Sequence, residues 1–305
     1  MKEIIFETFN LTKKYSNTLA LDEVSMSIRQ GEIYGFIGEN GAGKTTLIRL
    51  LTGLAMPDSG EMALWGKRGK LLNEQRSRMG CIVESPSVYM NMTAYQNLEI
   101  QRQQRGIPGK ACIDKALGMV NLLDTGKKKA KDFSLGMRQR LALSIALLGN
   151  PEFLILDEPI NGLDPAGIIE LRNLLKQLNR EKGITILISS HILTELHQLA
   201  TNYGIMHKGR LVQQITASEL EEHCKQHLLL QVNDVAAATR VIETELHTNN
   251  YIVMPDKSIR LYDCNDHSGR VSSLLNENGI ILYQMAQGGD DLEAYYTKLI
   301  GGDDI

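Results

Sequence analysis

Four apolar runs stand out in the part of the chain before residue 192, and each ends abruptly in glycine or polar residues. They are GEIYGFIG, GCIVESP, PEFLILDEP and GITILISSH. The first leads through a glycine-rich loop into a helical pattern, and the last follows a charged helical stretch. Short, continuously apolar runs separated by helical patterns are typical of buried parallel strands joined by crossover helices. The pattern therefore predicts an α/β core.

Two further regions have a different periodicity. Residues 85–148 are dominated by helical spacing, which predicts a separate helical lobe. Beyond residue 217 the predicted order is βαββαβα, typical of a split-βαβ, ferredoxin-like α+β module. We expect an α/β domain at 1–218 and an accessory module at 219–305. The predicted elements of the module are strands at 227–232, 251–254, 258–262 and 280–285 and helices at 234–247, 268–278 and 291–300.

Composition narrows the function classes. The 305 residues suffice for two domains, and a net charge of −3 gives no basic field for a nucleic-acid partner. The four cysteines form no CxxC pair, which predicts free thiols in a reducing cytosol rather than a zinc site or a disulfide framework. We see neither a signal peptide nor an apolar stretch long enough to span a membrane. If the protein works at a membrane, another chain must supply the span.

The loop after the first run carries the clearest chemistry. GENGAGKT matches the G-x-x-x-x-G-K-[ST] pattern, whose glycines let successive backbone N–H groups point at phosphate oxygens. Lys44 adds a charge for the β- and γ-phosphates, and Thr45 offers a hydroxyl to Mg²⁺. The following helix directs its positive end at the same anion. The candidate ATP ligands here are Gly38, Glu39, Asn40, Gly41, Ala42, Gly43, Lys44, Thr45 and Thr46.

Two other runs end in residues that suit phosphate chemistry. Asp157 emerges at the end of the PEFLILDEP run, where ligands bind in open α/β sheets, and suits the Mg²⁺ shell. Glu158 follows and can act as the base or orient an attacking water. The GITILISSH run ends in Ser190 and His191, and His191 at this position could contact a γ-phosphate.

The order of motifs resembles that of the ATP-binding subunit of an ABC transporter. After the glycine-rich loop come FSLGMRQR at 133–140, FLILDEP at 153–159, NGLD at 161–164 and SSH at 189–191. The resemblance covers roughly residues 3–215 and implies a P-loop ABC ATPase core with a helical subdomain. It also implies ATP and Mg²⁺ as cofactors.

The resemblance implies further roles for individual residues. Tyr15 matches the aromatic residue that stacks on adenine, and His191 matches the switch histidine. Ser134 and Gly136 match the signature loop, which in this family contacts the γ-phosphate of ATP bound to the other subunit. Asp164 matches the aspartate of the D-loop at that same interface. Two copies are therefore expected to close over ATP as a nucleotide-dependent homodimer.

Three positions depart from the usual family pattern. Leu135 stands where glycine is usual and Met137 where glutamine is usual. Glu84 matches the Q-loop position, where a glutamine usually coordinates Mg²⁺ and links the nucleotide site to the membrane subunit. Glutamate there resembles a narrower branch, the ATP-binding subunits of lantibiotic-immunity and bacitracin-resistance exporters. Thr45, Glu84 and Asp157 are thus the expected metal ligands, with Glu84 adding a negative charge beside Mg²⁺ and the γ-phosphate.

The function expected from this branch is export of a peptide antibiotic through separate integral-membrane permease subunits, giving self-immunity or resistance. The chain would lie peripherally on the cytoplasmic face of the cell membrane. One alternative is an exporter ATPase for a drug, lipid or polysaccharide. Another is a soluble, non-transport ABC ATPase acting on ribosomes or DNA, although the single uninterrupted core and the absence of heptads argue against it. A simple P-loop GTPase would need a guanine-reading motif such as NKxD, which is absent.

Overall fold

The computed structural model describes residues 2–84, 88–264, 267–289 and 292–301. The chain divides into two compact units at the Ala217–Ser218 bond. In the first unit, strands alternate with helices, as the apolar runs predict. Its strands are β1 (Ile4–Tyr15), β2 (Thr18–Arg29), β3 (Ile33–Ile37), β4 (Ser59–Leu64), β5 (Lys67–Arg68), β6 (Met79–Ile82), β7 (Phe153–Leu156), β8 (Thr185–Ser190), β9 (Asn202–His207) and β10 (Arg210–Thr216). Its helices are α1 (Lys44–Thr52), α2 (Leu72–Arg76), α3 (Ala94–Gln104), α4 (Ala111–Met119), α5 (Leu135–Leu147), α6 (Pro165–Lys182) and α7 (Leu193–His197).

The four apolar runs form β3, β6, β7 and β8 of one six-stranded sheet. Its order is β10-β9-β3-β8-β7-β6, and all neighbours are parallel except β10, which pairs antiparallel with β9 at one edge. Every residue of β3, β7 and β8 is buried. Strands covered on both faces exclude polar side chains from their middles, which explains the continuous apolar runs. The predicted parallel sheet is therefore confirmed.

A second sheet in this unit has no counterpart among the sequence predictions. Strands β1, β2, β4 and β5 form an antiparallel sheet of order β2-β1-β4-β5. The pairing of β1 with β2 is interrupted by register shifts, so the alternation of apolar and polar residues is irregular along both strands. Phe6, Leu21 and Ile28 from this sheet pack in one core with Leu47 and other residues of α1.

Helices α3, α4 and α5 lie between β6 and β7 in the chain, within the predicted helical lobe. Its described part begins at residue 88, because 85–87 lie outside the described residues. Thr93 and Gln96 form a reciprocal capping box at the start of α3. The buried Asn97 fixes the preceding loop through hydrogen bonds with the backbone of Tyr89 and Thr93.

The second unit follows the predicted βαββαβα order after one additional helix. The sheet order is β12-β13-β11-β14 with antiparallel neighbours throughout, which is the split-βαβ arrangement. Asp234 caps α9, so that helix begins one residue later than predicted, and the predicted first residue of the last helix, 291, lies outside the described residues. The elements are α8 (Ala217–Cys224), β11 (His227–Val232), α9 (Val235–Glu245), β12 (Tyr251–Val253), β13 (Ile259–Leu261), α10 (Ser268–Glu277), β14 (Leu282–Gly288) and α11 (Leu292–Gly301).

The helical lobe approaches the sheet closely at Gly80 of β6. A Cβ atom built at this position would lie 2.1 Å from the carbonyl oxygen of Ala146 in α5. Because the obstacle is backbone, it cannot rotate away. We expect Gly80→Ala to lower the free energy of unfolding by about 1–3 kcal/mol, the usual cost of overpacking.

Thermal unfolding followed by circular dichroism measures this cost. Gly269→Ala in α10 is the control, because an added methyl group there meets no atom within 4 Å. An unfolding temperature for Gly80→Ala equal to that of the wild type would contradict the packing argument.

Candidate active site

The backbone of the loop between β3 and α1 lies close to the backbone of neighbouring strands. A Cβ atom at Gly38 would lie 2.7 Å from the carbonyl oxygen of Met206, and one at Gly43 would lie 2.6 Å from that of Ala20. Gly43 also has φ of 109° and precedes α1 without any side-chain cap. The first N–H groups of α1 are therefore left for an anion, and the dipole of the helix favours negative charge at the same place.

Lys44 is folded back into this loop. Its Nζ donates hydrogen bonds to the carbonyl oxygens of Gly38 at 2.5 Å and Glu39 at 3.2 Å. The same ammonium lies 3.3 Å from Oε1 of Glu158, with only 5% of the side chain exposed. Glu158 is therefore the counter-ion that balances a nearly buried positive charge.

A serine of β8 contacts both acidic residues that follow β7. The hydroxyl of Ser189 donates to Oδ1 of Asp157 at 2.6 Å and accepts the backbone N–H of Glu158 at 2.9 Å. Asp157 is buried, and its own N–H donates to the carbonyl of Ile82 at the end of β6. The Asp157 carboxylate and the backbone of Glu158 are thereby fixed at the end of β7.

Glu158 bridges two candidate residues. Its Oε2 lies 2.9 Å from Nδ1 of His191, while its other oxygen faces Lys44. The residue adopts a left-handed backbone conformation with φ of 49°, which costs a non-glycine residue energy and persists only where the surroundings enforce it. A carboxylate held between a cation and an imidazole is suited to orienting water or accepting its proton.

The predicted signature loop and D-loop meet each other. Ser134 caps α5 by accepting the N–H of Met137, and Asp164 caps α6 by accepting the N–H of Gly167. Leu135 reaches across from one loop to the other, with its Cδ2 3.1 Å from the position that a Cβ atom on Gly162 would occupy. Gly136, the other predicted contact of the signature loop, is the second residue of α5 and lies beside the D-loop residue Leu163. No hydrogen bond or ion pair among the described residues joins Ser134 or Asp164 to Lys44 or Glu158.

Glu84 has a different partner from the two carboxylates after β7. Its carboxylate accepts a hydrogen bond from Arg49 of α1 and forms an ion pair with it. This hydrogen bond is the largest cause that raises the pKa of the Arg49 guanidinium above its usual range, and Tyr15 acts in the same direction more weakly. Tyr15 itself ends β1 with 42% of its surface exposed, and the Lys13 ammonium lies 5.3 Å from the centre of its ring. An exposed ring of this kind is available for stacking.

The donor set of the predicted metal site contains only oxygen. Thr45, Asp157 and Glu84 offer one hydroxyl and two carboxylates, the hard ligands that Mg²⁺ prefers. Within the described ranges, no group of three or more histidine, cysteine, aspartate or glutamate side chains could hold a metal alone. Mg²⁺ usually takes one or two carboxylates together with substrate phosphates and water, so this sparse set fits that ion.

Two residues that the sequence analysis did not single out matter here. Ser189 was not distinguished from Ser190 within SSH, because the strand alternation does not by itself say which serine faces β7. Arg49 occupies an ordinary solvent-facing position on a helix, so only the folded structure reveals its partner.

Known proteins match this chain both over its core and over its whole length. A family model described as ABC transporter matches residues 21–161. The chain is 40% identical over 304 residues to the bacitracin transport ATP-binding protein BcrA of Enterococcus faecalis, covering 99% of this chain and 98% of the relative. BcrA of Bacillus licheniformis is 44% identical over 302 residues, with 99% of each chain covered. The chain belongs to the ABC transporter family as an ATP-binding subunit.

Other relatives agree with this family. The lantibiotic transport ATP-binding protein SrtF of Streptococcus pyogenes is 41% identical over 203 residues, covering 67% of this chain and 87% of the relative. The dimeric post-hydrolysis structure of the ATP-binding cassette MJ0796, bound to ADP and Pi, superposes with a TM-score of 0.63 at 23% identity. That match covers 70% of this chain and 99% of the cassette, and at this identity it supports the fold alone.

The family resemblance and the fold class predicted from the sequence are thus confirmed. The chain is an ABC-type ATPase subunit in which ATP hydrolysis is coupled to transport. None of its described helices is both long and apolar enough to cross a bilayer. In this family, ATP-binding subunits dimerise and act with membrane permeases.

The position of Ser189 generates a prediction about the site. Ser189→Ala removes the hydroxyl that joins Asp157 to the backbone of Glu158, so we expect stability to fall by about 1–2 kcal/mol. If the loss of positioning amounts to about 1.4 kcal/mol in the transition state, ATP turnover falls about tenfold. Urea unfolding and steady-state ATPase assays measure the two effects.

Ser190→Ala is the matched control. Ser190 is equally buried, but its hydroxyl contacts only the nearby backbone of Ile192 among the described hydrogen bonds. Equal losses of turnover in the two variants would refute the specific role of Ser189.

Proposed function

We propose that this chain powers the export of a bacitracin-like or lantibiotic peptide through separate membrane subunits, conferring resistance or self-immunity. The observation that carries the proposal is the similarity to the two BcrA proteins along the whole chain, at 40% and 44% identity. It extends over the second unit as well as the ATPase core, which a relationship through the common ATPase fold would not require. SrtF supports the same substrate class over the core.

In this proposal the residues around Glu158 carry out hydrolysis. Lys44 exchanges the carbonyl oxygens of Gly38 and Glu39 for the β- and γ-phosphates of ATP, while the loop N–H groups bind the remaining phosphate oxygens. Glu158 then loses its counter-ion and is free to orient the attacking water and accept its proton. His191 contacts the γ-phosphate side and positions the Glu158 carboxylate through its Nδ1 contact.

The metal in this scheme is Mg²⁺, held by Thr45, Asp157 and Glu84. When bound, it neutralises charge on the phosphate oxygens. The contact from Ser189 keeps the carboxylate of Asp157 at the strand end in an orientation fixed before the nucleotide arrives. Glu84 adds a full negative charge where a glutamine would add only a dipole.

The proposed assembly contains two copies of the chain and membrane permeases. Ser134, Leu135 and Asp164 are exposed, so the signature loop and the D-loop present a continuous surface on one side of the chain. This surface suits a second copy whose bound ATP it would cover, with Tyr15 stacking on adenine in each copy. We place the complex on the cytoplasmic face of the cell membrane, without a nucleic-acid partner. The nucleotide chemistry is assigned to residues 1–218, and 219–305 form an accessory module.

Glu158→Gln tests the hydrolysis step. The amide keeps the size of the side chain but cannot accept a proton, so we expect ATP to bind and turnover to fall below about a tenth of that of the wild type. The variant should form an ATP-dependent dimer, because closure is no longer followed by hydrolysis. Steady-state ATPase assays and size-exclusion chromatography with ATP measure both properties. Turnover near the wild-type level would remove Glu158 from the role of base.

Export itself is tested in cells that produce the chain together with its membrane permease subunits. We expect survival in bacitracin or a lantibiotic to rise with the wild type and not with Glu158→Gln, provided that the two proteins reach equal levels in the membrane fraction. Protection against an unrelated drug, without protection against either peptide, would favour the exporter of another substrate. A chain absent from the membrane fraction would favour the non-transport ATPase.

A further inference from the structure

An ion pair joins the helix after the phosphate loop to Glu84, which directly precedes the predicted helical lobe. Arg49 lies on α1 four residues after Thr45, and therefore on the same face of the helix one turn away. Its guanidinium contacts the carboxylate of Glu84, which follows β6 and opens the segment leading to α3. Glu84 has φ of 61°, so its backbone adopts a conformation that few non-glycine residues hold.

This contact gives a second partner to a carboxylate that the proposed function assigns to Mg²⁺. A carboxylate can bridge two cations, but Arg49 and Mg²⁺ are both positive and repel each other when they share it. The guanidinium also occupies lone pairs that the metal needs. Binding of one cation to Glu84 therefore weakens the binding of the other.

We infer that Arg49 is a positioning residue that competes with Mg²⁺ for Glu84, so that binding of metal and nucleotide releases Glu84 from α1. The inference rests on the proposed function, because it takes Glu84 to be a metal ligand. It explains what a glutamate supplies that a glutamine cannot. Only the charged side chain can form an ion pair with Arg49 and also bind the metal as an anion.

The size of the competition is set by solvent exposure. The Arg49 and Glu84 side chains are 41% and 55% exposed, so water and salt screen their attraction. Exposed pairs of this kind shift an equilibrium constant by at most about fivefold. The pair is therefore weak enough for Mg²⁺ to displace and strong enough to shift a metal titration measurably.

The test is a Mg²⁺ titration of the binding of a fluorescent, non-hydrolysable ATP analogue to the full chain. Arg49→Gln removes the competitor, so we expect the Mg²⁺ concentration at half-saturation to fall about two- to fivefold. Glu84→Gln removes the anionic ligand and should raise that concentration. In Glu84→Gln, adding Arg49→Gln should change nothing further, because Arg49 acts only through the carboxylate.

Two controls separate competition from simple structural support. Arg68→Gln breaks the Arg68–Glu61 pair, which has a 2.8 Å contact and similarly exposed partners, and should leave the Mg²⁺ titration unchanged. The exchanged variant Arg49→Glu with Glu84→Arg re-forms an ion pair without a carboxylate at position 84. Its thermal stability should equal that of the wild type. Its Mg²⁺ requirement should stay above that of the wild type, as in Glu84→Gln.

The outcomes distinguish the inference from the proposal beneath it. Competition is supported if Arg49→Gln lowers the Mg²⁺ requirement of the wild type but does not lower that of Glu84→Gln. An unchanged or higher requirement in Arg49→Gln, while Glu84→Gln raises it, overturns the inference and keeps Glu84 as a ligand. If Glu84→Gln leaves the titration unchanged, both the inference and the metal assignment of Glu84 are wrong, whereas the hydrolysis role of Glu158 is judged by its own variant.

Discussion

A strand that is covered on both faces can carry polar groups only where it ends, and this constraint arranges the whole first unit. Strands β3, β7 and β8 are buried along their full length. Because they run parallel, their carboxyl ends meet at one edge of the sheet, and every polar group placed after them converges there. The phosphate loop, the paired carboxylates and the β8 serine come together for this single reason. The same burial lowers the local dielectric, which strengthens the contacts made at that edge.

The features that the sequence predicts correctly are those that depend on short-range pattern. A run buried on both faces leaves a continuous apolar signature, so β3, β6, β7 and β8 are recognisable one by one. The other two strands of the six-stranded sheet, β9 and β10, were not predicted. The second unit was recognisable because its strands and helices alternate at ordinary lengths. The antiparallel sheet of β1, β2, β4 and β5 was missed because its register shifts break the two-residue alternation that marks a half-buried strand.

Side-chain pairing across elements is harder to predict, because it depends on which of several adjacent residues faces a neighbour. Ser189 and Ser190 are the same residue type at adjacent positions, yet only Ser189 contacts the Asp157 carboxylate and the backbone N–H of Glu158. Arg49 and Glu84 are separated by 35 positions, and nothing in the residues between them specifies their contact. Ser134 and Asp164 show a related limit. Their motif suggests a role between two copies, whereas their contacts within the chain are those of ordinary helix caps.

The close approach of Gly80 to the carbonyl of Ala146 limits how α5 can move relative to the sheet. Its C-terminal end abuts the backbone of β6, whereas its N-terminal end carries Ser134 as the cap. About eleven residues of helix separate these points, which corresponds to an arm of about 17 Å. A tilt of only about 10° around the Gly80 contact would displace the serine cap by about 3 Å, roughly the length of one hydrogen bond. A small rotation of the lobe around this contact would therefore be enough to make or break a contact at the far end of the helix.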